Sequence, residues 1–151
     1  MLQIYIDADA CPVKEETFRV ALRYQLKVFL VANGPLRVPP EGNVELVVVS
    51  DSFDAADNWI AEQASVGDIV VTADIPLAKR ALDRGARVIG PTGRPFTDAS
   101  IGAALATRAL MADLRAMGTV QGGNAPMSKT DKSRYLSALD QAINAIKKTG
   151  R

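Results

Sequence analysis

The sequence predicts a three-layer α/β fold, with a central, mainly parallel sheet between helices and additional helices at the carboxyl end. Continuous runs of Val, Ile and Leu alternate with helical segments through the first two thirds of the chain. Runs of that kind mark strands covered on both faces, as parallel strands are. Three stretches also end an apolar run in carboxylates: Ile4-Tyr5-Ile6-Asp7-Ala8-Asp9, Val47-Val48-Val49-Ser50-Asp51-Ser52-Phe53-Asp54 and Val70-Val71-Thr72-Ala73-Asp74. If these are parallel strands of one sheet, the acids gather at its carboxyl edge, where open α/β folds place their ligands.

The elements follow in order. Leu2 to Ile6 is a strand, and Pro12 to Gln25 a helix whose Phe18, Ala21 and Leu22 share one apolar face. Pro12 suits a first helical turn. Lys27 to Ala32 is a second strand, broken by Asn33-Gly34-Pro35, and Val44 to Val49 a third. A helix from Asp54 to Ala64 leads through Gly67-Asp68 to a fourth strand, Ile69 to Thr72. Ile75 to Asp83 is helical, with Gly85 placed to end it, and Arg87 to Ile89 is a fifth strand. Thr97 and Ser100 cap a long alanine-rich helix from Ser100 to Met117. Three glycines, an asparagine and a proline then fill a connection, residues 118–130, that reads as flexible. From Asp131 a last helix carries Leu136, Leu139, Ile143 and Ile146 at helical spacing, a stripe that should dock on the sheet. At 151 residues the expectation is a single domain, 1–151.

Composition narrows the chemistry. A net charge of +1 advertises neither nucleic acid nor a polycation. One cysteine, Cys11, excludes an internal disulfide and cysteine-based zinc fingers. No stretch approaches the roughly 20 apolar residues of a membrane span, and Met1-Leu2-Gln3-Ile4 does not resemble a signal peptide, so the expected compartment is the cytoplasm, without a membrane partner. There is no histidine, which excludes Ser-His-Asp and Cys-His nucleophiles and mixed histidine-carboxylate metal sites. Carboxylates, lysine, arginine, hydroxyls and a metal-activated water remain.

The candidate acids each have a bland reading beside the chemical one. Packed carboxylates raise one another's pKa unless a cation lies among them, which proposes a hard-metal site. Asp7 and Asp9 end a buried strand; helix capping explains one of them but not both. Asp74 stands directly before Ile75-Pro76, where a cap is expected too. Asp54 and Asp57 share a helical face, and the helix dipole alone favours Asp54 in a first turn, whereas Asp57 lies further in. Trp59 reads as core packing. Lys14 opposes the dipole at the start of its helix and would suit a carboxylate or a substrate phosphate. Arg94, in Gly90-Pro91-Thr92-Gly93-Arg94-Pro95, can offer a bidentate fork to phosphate. Lys129, Lys132 and Arg134 either hold a polyanion or solubilise the adjoining segment.

Taken together, Asp7-Ala8-Asp9-Ala10-Cys11-Pro12-Val13-Lys14, Asp54-Ala55-Ala56-Asp57-Asn58, Gly67 through Ala78, Arg94-Pro95-Phe96-Thr97 and Asp131-Lys132-Ser133-Arg134-Tyr135-Leu136 resemble the bacterial YaiI/YqxD family. Its domain is similar to PIN domains, metal-dependent nucleases in which acids from strand ends and one helix hold Mg²⁺ or Mn²⁺. The resemblance implies Asp7 as the ligand from the first strand and Asp74 as the ligand from the fourth. PIN domains usually take a glutamate from the helix, where this chain has Asp54 and Asp57.

The resulting expectation is a nuclease, with RNA the expected partner and Mg²⁺ or Mn²⁺ the cofactor. Asp7, Asp57 and Asp74 would be ligands, with Asp9 and Asp54 as further ligands or groups orienting water. Lys14 and Arg94 would meet phosphate. Asp7-Ala8-Asp9 also resembles the haloacid-dehalogenase phosphatases, in which Asp7 would be the nucleophile and Asp9 the acid/base. A third alternative is a non-catalytic RNA-binding or regulatory module.

Overall fold

The computed structural model describes residues 2–8, 13–34, 38, 42–50, 55–91, 93–97, 99–102 and 129–148. Among the described residues the principal elements follow in order: β1 (Gln3–Asp7), α1 (Lys14–Tyr24), β2 (Lys27–Ala32), β3 (Asn43–Val48), α2 (Ala55–Gln63), β4 (Ile69–Val71), α3 (Ile75–Asp83), β5 (Arg87–Ile89), β6 (Pro95–Phe96) and α4 (Lys129–Lys148). They build one sheet of order β3-β2-β1-β4-β5-β6, parallel except for the antiparallel β5–β6 pair. The α/β class and the mainly parallel sheet are as the sequence predicts.

Two apolar clusters explain the layers. Alternate residues of a strand face opposite sides. Ile4 and Ile6 of β1, Val28 and Leu30 of β2, and Ile69 and Val71 of β4 pack against Val20 and Ala21 of α1 and Leu139, Ile143 and Ile146 of α4. Tyr5, Val31, Val70 and Val88 face the other way, against Ala56, Ile60 and Ala61 of α2 and Leu77, Ala78 and Ala81 of α3. The Tyr5 ring stacks on Phe29 at 5.1 Å between centroids, and Trp59 of α2 tilts against both. Trp59 is core packing, as its spacing implied.

Several boundaries differ from the sequence reading. The first helix begins at Lys14, and the last at Lys129 rather than Asp131. The last helix also buries Tyr135 completely, its hydroxyl hydrogen-bonded to Thr17 of α1. Tyr135 lies four residues before Leu139 and continues the same buried face, and it anchors α4 because Thr17 satisfies its polar tip. Strand β6 is new. Residues 99–102 are helical, capped by reciprocal bonds in which the Ser100 N–H donates to Thr97 Oγ1 and the Thr97 N–H to Ser100 Oγ. The rest of the expected 100–117 helix, and residues 118–128 of the expected flexible segment, lie outside the described residues.

At the amino edge of the sheet, buried Asp68 accepts from the Gln3 and Ser65 backbone N–H groups. Burial pushes the Tyr5 phenol above its ordinary 10.0, and the Asp68 carboxylate pushes it the same way. A raised folded-state pKa means that folding holds the phenol proton more tightly than the unfolded chain does. The associated stability is present below pH 10 and is lost as the pH rises through the folded value. Denaturant titrations near neutral pH and above pH 10 should therefore show a smaller alkaline loss for Tyr5→Phe than for wild type.

Candidate functional site

The sheet order reverses direction between β1 and β4. From β1 the chain steps outward through β2 to β3, then crosses back to β4 on β1's other side and continues to β5. The crevice beyond the carboxyl ends of two such strands is where doubly wound α/β sheets bind ligands. Asp7 ends β1 there, and Thr72 directly follows β4.

The two are joined. Thr72 Oγ1 donates to Asp7 Oδ2 at 3.0 Å, and the Asp74 backbone N–H donates to Thr72 Oγ1 at 2.9 Å. A fully buried hydroxyl thus relays between a carboxylate that is 4% exposed and the loop carrying the next acid. Asp74 caps α3: its Oδ1 accepts from the Leu77 N–H at 2.9 Å, with Pro76 in the first turn. The cap occupies one carboxylate oxygen, and Oδ2 has no hydrogen-bond partner among the described residues. Capping and ligand roles, rivals on sequence grounds, are compatible in this geometry.

Asp7 and Thr72 have the parity of Tyr5 and Val70, so they belong to the α2/α3 face of the sheet. Helices α2 and α3 both start at this edge and bring the positive ends of their dipoles to it. Asp57 is half-buried in the first turn of α2, and Arg80 of α3 donates to the neighbouring Asn58 at 2.8 Å, linking the two helices. Asp9 and Asp54 lie outside the described residues. Among the described residues, no three His, Cys, Asp or Glu side chains are grouped to hold a metal ion.

The two basic candidates separate. Lys14 opens α1, on the opposite face of the sheet from α2 and α3. Arg94 follows β5 and lines a cavity of about 380 Å³ with Ala73 and Ile75, the two neighbours of Asp74. Sequence reasoning overlooked Thr72. Its signal was a hydroxyl residue closing an apolar run two positions before an aspartate.

The sequence pattern of the uncharacterised YaiI/YqxD family matches residues 5–145. The chain belongs to this family. A UPF0178 protein of Rhodospirillum centenum is 69% identical over 98% of this chain and 99% of its own length. A UPF0178 protein of Sphingopyxis alaskensis is 61% identical over 96% of this chain and 95% of its own. Another, from Rhodopseudomonas palustris, is 52% identical over 99% and 96%. No solved structure matches the chain. Among the described residues, no helix of this YaiI/YqxD protein is long and apolar enough to cross a membrane.

Proposed function

We propose that this YaiI/YqxD protein is a metal-dependent phosphodiesterase acting on nucleic acid, RNA first, at the carboxyl edge of β1 and β4. The observation that carries the reading is the Asp7–Thr72–Asp74 chain of hydrogen bonds at the point where the strand order reverses. The donor set fits a hard cation. It is all oxygen, and Mg²⁺ typically takes only one or two carboxylates, completing its shell with water and substrate phosphates. Asp7 and Asp74 would hold Mg²⁺ or Mn²⁺, with Asp57 on the same face, and Asp9 and Asp54 are assigned the orientation of water. When bound, the cation supplies a nucleophilic water at neutral pH and offsets charge on the phosphoryl oxygens.

The chain's own residues do the positioning. Thr72 fixes the orientation of the Asp7 carboxylate, and the α3 cap fixes that of Asp74. The N-terminal ends of α2 and α3 favour the anionic phosphate at this edge. Arg94 meets a phosphate of the strand beside Asp74, and Lys14 a more distant one. The resemblance of the Thr72 to Ala78 segment to PIN domains points to the same chemistry.

The test is cleavage of a panel of single-stranded and structured RNAs with Mn²⁺ and with EDTA, by wild type and Asp74→Asn. Asparagine keeps the α3 cap, so the folded variant should lose activity by at least about tenfold. Equal cleavage by both proteins, or none by wild type with Mn²⁺, contradicts the proposal.

A further inference from the structure

Where the β5–β6 loop meets α4, Gly93 lies so close to the helix that a Cβ on it would sit 2.6 Å from the Arg134 carbonyl oxygen. Its φ of +90° also favours glycine, so the residue's identity sets this approach. The contact brings Arg94 beside Arg134. Both line one cavity of about 510 Å³, together with Asp131, Ser137 and Gln141. Arg134, Ser137 and Gln141 recur along one face of α4. Neither guanidinium has a hydrogen-bond or ion-pair partner among the described residues, whereas Asp131 is already engaged. Among the described residues that line it, the cavity therefore presents two bidentate donors without partners and one positive charge in excess.

We infer that the Arg94–Arg134 cavity is a subsite for the terminal phosphate of a nucleic-acid strand, a substrate class that rests on the phosphodiesterase proposed above. Arg94 also lines the cavity beside Asp74, so the acidic edge and the two-arginine cavity share a side chain. A strand lying at Asp74 passes Arg94 and reaches Arg134. The volume is in the range of about 300–1,000 Å³ usual for small-ligand sites, which suits one end of a strand rather than a duplex. A terminal phosphate carries more charge than an internal diester and leaves three oxygens for two guanidinium forks.

The experiment is fluorescence anisotropy of a short labelled RNA ending in a phosphate or in a hydroxyl, with EDTA present and inorganic phosphate as competitor. Wild type should bind the phosphate end at least about tenfold more tightly than the hydroxyl end. Arg134→Gln and Arg94→Gln, both at exposed positions, should each erase that preference while circular dichroism stays unchanged. Equal binding of both ends by wild type, or a preference kept in the glutamine variants, overturns the inference. A nucleoside monophosphate that binds as tightly as the RNA overturns the assignment to a strand. Because binding is read without metal, an end preference without Mn²⁺-dependent cleavage counts against the phosphodiesterase alone. Cleavage without an end preference counts against this subsite alone.

Discussion

Replacing Asp7 by asparagine is expected to reduce the proposed Mn²⁺-dependent RNA hydrolysis by about a thousandfold or more, the equivalent of several kcal/mol of charge stabilisation. The substitution changes charge with almost no change of shape. Asp7 is 4% exposed, and its Oδ2 accepts from Thr72. Asparagine keeps an acceptor oxygen for that hydroxyl in nearly the same volume. The metal-free variant should melt within about 4 °C of wild type by circular dichroism. Loss of activity with the fold intact assigns the carboxylate charge a chemical role. A variant that still cuts would show Asp7 to be structural.

The second large effect belongs to Thr72→Val. Valine matches threonine in shape and lacks the hydroxyl. Thr72 is fully buried and serves two groups at once, donating to Asp7 and accepting from the Asp74 N–H. Its loss leaves a buried carboxylate oxygen one donor short and a backbone N–H unpaired, at a cost of about 2–4 kcal/mol in denaturant unfolding. Destabilisation alone would fit any buried hydroxyl. The sharper readout is the Mn²⁺ concentration at half-maximal activity, which should rise by about tenfold to a hundredfold and return toward wild type in Thr72→Ser. Unchanged metal dependence in a destabilised valine variant would restrict Thr72 to a structural role.

Legibility in the sequence tracks how much of an element's signal is local. Strands β2 and β5 and helix α3 have the boundaries that their apolar runs and flanking turn residues imply, because a buried parallel strand carries its own pattern. Strand β6 carries none. Its two residues, Pro95 and Phe96, are too few for any periodicity, and pairing with β5 alone makes them a strand. Tyr135 is half legible: its spacing to Leu139 continues the buried face, but the Thr17 partner of its hydroxyl lies on a distant helix.

The site divides in the same way. Asp7 and Asp74 stand out because acids at the ends of buried strands are costly without a purpose. Asp74 before Ile75-Pro76 shows its capping role in sequence, but only geometry shows that the cap uses a single oxygen. Thr72 looks like an ordinary strand terminus until its hydroxyl is seen between the Asp7 carboxylate and the Asp74 backbone N–H. The juxtaposition of Arg94 and Arg134 depends on a glycine touching a helix backbone, which no local pattern encodes.

Titration of Mn²⁺ into the metal-free protein, followed by electron paramagnetic resonance, tests the central claim most directly. Wild type should bind Mn²⁺ saturably, and Asp7→Asn and Asp74→Asn should each lose that binding while remaining folded. Binding retained undiminished in both variants would contradict a cation site at the carboxyl ends of β1 and β4.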